Sequence, residues 1–297
     1  MFATNRRGSF LVDLGIALVL AIRRVPRIDY IHTVGFERLA GSSRLLRLAV
    51  AKFLSSAAIT VTLADELRWD VEPWVARKSV RIIANFVPDA TPGNATIEER
   101  YAARRVLFMS NLLPEKGVSD FVELAAKFTQ NGDPAKFTVV GGDAGSVEFG
   151  RLRDSVEAAD LTDRIELRGA LHGALKEEAL SQATLLVFPS SYEFEAQPLS
   201  VIEAMAHGVP AVAYNVGALP SITGDHEAGI CVPTGNLGAL EDAVSFVLGS
   251  FEVWSRLSFG ALARHEAQFS QSAYAGRWEE AIREVTMRDR RRARGSR

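Results

Sequence analysis

The sequence predicts an α/β protein built from two doubly wound blocks of parallel strands and helices. Short β-branched runs alternate with helical stretches of roughly ten residues, the signature of β-α-β units. The alternation breaks once, at the turn-rich stretch VPDATPGNAT of residues 87–96. With 47% apolar residues among 297, the chain can bury one large core or two modest ones.

The elements follow in order. An apolar run near residues 9–22 reads as a core helix; a twin-arginine-like export signal and a membrane-facing helix are weighed beside it. Asp13 inside the run, Arg23 and Arg24 at its end and the lack of a small-residue cleavage site argue against export. The run is also too short to span a bilayer. The strand IDYIHT (28–33) carries His32, a helix falls near 43–55, and AITVTLA (58–64), a short helix near 65–72 and VRIIANFV (80–87) complete the first block.

The second block reads as strands at 106–110, 137–141, 165–169, 185–189 and 210–214, alternating with helices at 117–130, 147–160, 173–182 and 199–207. A small strand, GICV (229–232), and helices near 237–249, 252–266 and 271–287 finish it. The expected division is 1–95, 96–270 and a terminal helix with basic tail, 271–297.

Net charge is −2, which gives no reason to expect nucleic acid, although residues 1–54 hold nine Lys or Arg and the tail is basic. The lone cysteine, Cys231, cannot form an intrachain disulfide and reads as a buried thiol in a reducing compartment. These features point to a cytoplasmic protein and leave open a place at the inner face of a membrane.

In doubly wound sheets, ligands bind beyond the carboxyl ends of the strands. The loop after LLVFP (185–189) therefore marks a candidate site, and it carries Glu195; Glu203 lies eight residues on, in the following helix. Pro198 suits a helix start, and the amides of Leu199, Ser200 and Val201 would be available to an anion. Ser200, Glu203 and His207 share one face, and Leu199, Ile202, Ala206 and Val209 another that would pack on the sheet. A carboxylate such as Glu203 can accept from both hydroxyls of a vicinal diol. On spacing alone, a helix-capping Glu195 and a surface Glu203 remain equally open.

PSSYEFEAQPLSVIEAMAHGVPAVAYNVGALPSI resembles the E-x7-E signature of family 4 glycosyltransferases of the GT-B fold. MSNLLPEKGVSDFVELAAKF, FTVVGG, IELRGAL and HEAGICVPTGNLGALEDAV follow the family's order, so the resemblance spans about residues 80–250. It implies two Rossmann-like domains, the C-terminal one complete and the N-terminal one truncated. It further implies retaining transfer of a sugar from a nucleoside diphosphate sugar, of UDP or GDP type, to an acceptor hydroxyl.

By resemblance, Glu203 holds the ribose, Glu195 contacts the donor sugar, and Lys116 neutralises the diphosphate. The backbone of Gln197, Pro198, Leu199 and Ser200 receives the distal phosphate, the base sits near Leu171, and His32 reaches the donor sugar. Three positions depart from the family: Ser110 and Asn111 replace its Gly-Arg pair, and Ala196 stands where glycine is common. Asn111 can hydrogen-bond a phosphate but brings no charge. No D-x-D occurs, so no metal and no cofactor is expected.

The expected partners are the nucleotide sugar and an acceptor sugar or lipid-linked glycan, with peripheral membrane contact and a complementing subunit left open. The strand bearing His32 begins at Ile28, whereas the family has several β-α units before it. A fragment or misplaced start, a separate subunit, and a non-catalytic nucleotide-sugar-binding remnant all fit that. A dinucleotide-dependent oxidoreductase is disfavoured because VVGGDAGS lacks G-x-G-x-x-G spacing.

Overall fold

A computed structural model describes all residues except 91, 92, 94, 143–146, 225, 296 and 297; the side chains of 147 and 290–295 are likewise outside it. Part of the 87–96 turn region and the end of the basic tail therefore fall outside the described residues. The chain divides into two units. One comprises Met1–Phe86, Phe194–Gln197 and the stretch from Gln271; the other comprises Val87–Glu193 and Pro198–Ser270.

The first unit runs β1 (Phe2–Ala3), α1 (Arg7–Ile22), β2 (Ile28–Ile31), α2 (Phe36–Gly41), α3 (Arg44–Ser55), β3 (Ile59–Thr62) and β4 (Val80–Ile82). Its four strands lie in the order β1-β2-β3-β4, all parallel. Strand β3 is buried at every position, as expected for a parallel strand covered on both faces. Beside the sheet Phe10, Phe36 and Phe53 pack together, Phe10 meeting Phe53 edge-on at 5.4 Å. Ser43 caps α3 by accepting from Leu46 N–H at 3.1 Å. The guanidinium of Arg27 makes paired bonds of 2.6 and 2.8 Å to Asp29, both residues buried, and also donates to the Phe53 carbonyl.

Three expectations for this unit are corrected. Helix α1 is not a core helix: among its apolar side chains only Phe10 and Ala17 are buried, and Leu11, Val12, Ile16, Leu18, Val19 and Ile22 are exposed. Apolar residues all round the helix hide which stripe packs, so composition overstated its burial. The expected strand 80–87 ends at Ile82, because beyond Ile83 the backbone turns to other partners, Asn85 N–H donating to the Gln197 side chain, and the expected helix near 65–72 is a 3-10 turn, Asp65–Asp70. Helix α2 and strand β1 had no counterpart in the sequence pattern.

The second unit runs α4 (Ile97–Ala102), β5 (Arg105–Met109), α5 (Val118–Gln130), β6 (Lys136–Val140), α6 (Val147–Ala158), β7 (Ile165–Gly169), α7 (Ala174–Gln182), β8 (Leu185–Phe188), α8 (Leu199–Ala206), β9 (Ala211–Tyr214), α9 (Leu219–Thr223), β10 (Gly229–Val232), α10 (Leu237–Leu248) and α11 (Phe251–Arg264). The six strands are parallel in the order β10-β9-β8-β5-β6-β7. The sequence direction reverses between β5 and β8, the switch point where such sheets bind ligands. Thr96 and Glu99 close a capping box at α4. Trp254, fully buried, donates from its indole N–H to the Thr184 carbonyl at 2.6 Å.

The chain returns to the first unit as α12 (Gln271–Gly295). Within that unit Trp278 packs edge-on against Tyr30 at 5.1 Å, Tyr274 meets Phe86 at 4.8 Å, and Arg81 binds Glu284 at 2.6 Å. These contacts make the helix part of the first unit, where the sequence left 271–297 as a separate terminal element. Cys231 is half-buried, not fully buried, with its sulfur 3.3 Å from the Thr223 hydroxyl. No helix among the described residues is long and apolar enough to cross a membrane.

Candidate functional site

In the second unit the expected donor-binding residues gather at the carboxyl ends of β5, β7 and β8. Lys116 closes a 3-10 turn, Pro114–Lys116, whose last position hands over to Gly117 at φ 79°. A Cβ on Gly117 would lie 1.9 Å from the Pro189 carbonyl oxygen, so only glycine lets this loop approach the end of β8. Ser191 N–H donates to the Glu115 carbonyl at 2.8 Å and ties the two loops further. The ammonium of Lys116 lies 4.8 Å from the centre of the Tyr192 ring and 5.8 Å from that of Phe188.

Asn111 is exposed two residues after β5. Its neighbours are fixed: Ser110 N–H donates to the Val140 carbonyl at 3.1 Å and Leu112 N–H to the Gly142 carbonyl at 3.1 Å. Leu171 is half-buried in the segment joining β7 to α7.

Pro198 stands at the N-cap of α8 with extended backbone and no side-chain cap, which leaves the first-turn amides of Leu199, Ser200 and Val201 without partners inside the helix. Leu199 is 47% exposed, so it does not join Ile202 and Ala206 on the sheet-facing side as its spacing suggested. Val201, Ile202, Ala204, Met205 and Ala206 are buried, leaving Ser200 and Glu203 partly exposed. Glu203 Oε1 pairs with the Lys176 ammonium at 2.6 Å, and Glu177 with His207 at 2.9 Å. Burial lowers the His207 pKa, against the opposing pull of Glu177.

The remaining expected residues lie in the first unit. Glu195 is buried there in the segment Phe194–Gln197, so the two glutamates of the motif fall in different units. The Gln197 side chain accepts from Asn85 N–H at 2.6 Å and donates to the Leu63 carbonyl at 3.3 Å, anchoring that segment. Ala196 is not among the described residues with positive φ, so the change from glycine strains nothing. His32 follows β2 with its ring 4.0 Å from that of Tyr30 and 5.0 Å from that of Phe2. Its Nε2 is buried without a hydrogen-bond partner among the described residues, and burial lowers its pKa.

Sequence reasoning missed two residues. Lys176 forms an ion pair across 27 residues that no local pattern announces. Asp70, buried, accepts from the backbone N–H groups of Gly35, Phe36 and Glu37 at 2.9 to 3.0 Å and so fixes the loop that follows His32. An aspartate capping a helix from a distant turn has no signature in spacing. No group of three or more potential metal ligands occurs among the described residues.

Residues 97–257, more than half of the chain, match the family described as Glycosyl transferases group 1. The chain belongs to this family. It is 26% identical over 283 residues to alpha-D-kanosaminyltransferase of Streptomyces kanamyceticus, covering 92% of this chain and 72% of that protein. It is 32% identical over 176 residues to 2-deoxystreptamine N-acetyl-D-glucosaminyltransferase of Streptomyces fradiae, covering 56% and 41% respectively. Among solved structures, Anabaena HepE in complex with UDP superposes with a TM-score of 0.79 at 17% identity, covering 95% of this chain and 78% of that one. A structure of the same protein with UDP-glucose gives 0.73 at 15% identity, covering 96% and 78%. The fold of this group 1 glycosyl transferase is accordingly GT-B, with parallel Rossmann-like sheets. The chain spans less than half the length of the Streptomyces fradiae relative.

Proposed function

We propose that this group 1 glycosyl transferase is a retaining enzyme of family 4 type, moving a sugar from a nucleoside diphosphate sugar to the hydroxyl of an acceptor sugar or lipid-linked glycan. One observation carries the reading: Lys116, the N-terminus of α8 and Glu203 belong to the elements that follow β5 and β8, the neighbouring strands of the switch point. That arrangement supplies a cation and amides for a diphosphate and a carboxylate for a ribose. The relatives named as kanosaminyl and N-acetylglucosaminyl transferases, and the neighbour that holds UDP and UDP-glucose, support the donor class.

As the anomeric bond breaks, its electron pair leaves on the diphosphate. Lys116 and the α8 amides stabilise the charge that accumulates there, which lowers the barrier to departure. Asn111 adds a neutral donor and Leu171 lies where the base would rest. Glu195 and His32 serve the transferred sugar, and the buried Nε2 of His32, which has no partner among the described residues, is suited to meet a hydroxyl.

Calorimetric titration with UDP and GDP in parallel tests the reading, with Glu203→Ala as control. One nucleotide should bind, and the substitution should weaken it about tenfold or more, as expected for loss of hydrogen bonds to a charged group. A folded protein that binds neither nucleotide overturns the proposal.

A further inference from the structure

The ion pair between Lys176 and Glu203 has a consequence for the ligand, provided the donor reading above holds. Lys176 lies in the first turn of α7, three residues after Gly173, and Glu203 in the second turn of α8. Both belong to the second unit, and their side chains keep 28% and 20% of their surface exposed. Lys176 occupies Oε1 of the carboxylate; Oε2 makes no hydrogen bond among the described residues.

A lone carboxylate can only accept. Offered a vicinal diol, it takes both protons and leaves both hydroxyl oxygens without a donor. It also sets a negative charge beside a diphosphate. An ammonium 2.6 Å from the same carboxylate changes both terms. The pair is close to neutral, and the ammonium has three donors, of which the Glu203 contact uses one.

We infer that Lys176 is a ribose-binding residue: Glu203 accepts a hydrogen bond from one ribose hydroxyl through Oε2 while Lys176 donates to the oxygen of the neighbouring hydroxyl. The site then reads the diol with one acceptor and one donor and discriminates ribose from deoxyribose at two distinct positions. Such a site rejects an analogue lacking a hydroxyl more strongly than an apolar pocket could, because a polar partner desolvated by the ligand is left unpaired.

The experiment is calorimetric titration of the full chain with UDP, 2′-deoxy-UDP and 3′-deoxy-UDP, in wild type, Lys176→Met and Lys176→Gln. GDP and its deoxy forms replace these if GDP is the nucleotide bound. In wild type, each deoxy nucleotide should bind about tenfold more weakly or worse. In Lys176→Met, the penalty for one of the two missing hydroxyls should fall to within about twofold while the other penalty persists, and Lys176→Gln, which keeps a donor, should restore part of the lost discrimination.

A charge-shielding or merely structural role predicts a different pattern, in which Lys176→Met weakens UDP and both deoxy nucleotides by one common factor; that result overturns the inference. So does tighter UDP binding by Lys176→Met, which would make the lysine a plug that the ligand displaces. Either outcome leaves nucleotide binding intact, and the donor reading with it. A folded wild type that binds neither UDP nor GDP removes the donor reading and this inference together.

Discussion

Replacing Gln197 by leucine separates anchoring from ligand binding in the segment Phe194–Gln197. The native side chain serves two backbone groups, accepting from Asn85 N–H at 2.6 Å and donating to the Leu63 carbonyl at 3.3 Å, and only 7% of the residue is exposed. Leucine is apolar and one heavy atom shorter, so both backbone groups lose their partner. Each loss costs about 1–3 kcal/mol, the smaller figure where water can enter, and the added apolar burial returns about 1 kcal/mol. The net is roughly 1–5 kcal/mol, against a stability of about 5–15 kcal/mol. Trp69, Trp74 and Trp278 lie in the first unit and Trp254 alone in the second, so urea unfolding followed by tryptophan emission reports chiefly the unit concerned. The unfolding free energy read from the emission transition should fall by that amount, while UDP or GDP affinity, which the proposed function assigns to the second unit, should change by less than about twofold, below 0.5 kcal/mol. Loss of nucleotide binding with an unchanged midpoint would mean that the side chain faces the ligand, and the reasoning would fail.

Gly117→Ala should destabilise the second unit by about 2 kcal/mol or more, since the added Cβ meets the Pro189 backbone at 1.9 Å and the residue sits at φ 79°. It should also weaken nucleotide binding by displacing Lys116; thermal melting and titration read the two effects, and wild-type values in both would count against the tight loop. The lowered pKa of His32 makes the first unit less stable in acid. The unfolded histidine binds its proton near pH 6.5 and the folded one only at lower pH, so stability is full above about pH 6.5 and declines as pH falls through the window beneath it. His32→Gln should flatten that decline in urea midpoints taken between about pH 7.5 and 5, and an unchanged slope would show that His32 is not buried in its neutral form.

The second unit was legible because each of its signals is local. Four- and five-residue β-branched strands, a proline at a helix start and a glutamate in the second turn beyond it report their own surroundings, and the six parallel strands follow. The first unit was legible only in part, and α1 shows why. Its sequence from Phe10 to Ile22 is apolar on every side apart from Asp13, so periodicity names no buried stripe, yet the fold uses only the line through Phe10 and Ala17. In the sequence Asp13 argues against a targeting segment, and the structure gives it a structural task, accepting from the Thr4 amide at 2.9 Å and hydroxyl at 2.7 Å beside β1. The same limit separates the two halves of the candidate site. Glu203 is found from its motif, but its ion-pair partner, Lys176, is found only in the fold, 27 residues away in the chain. A carboxylate 2.6 Å from an ammonium is a different recognition element from a bare one: it can satisfy a donor and an acceptor at once. Chemistry of that kind arises from tertiary pairing, so a motif identifies where a ligand binds before it tells which atoms of the ligand are read.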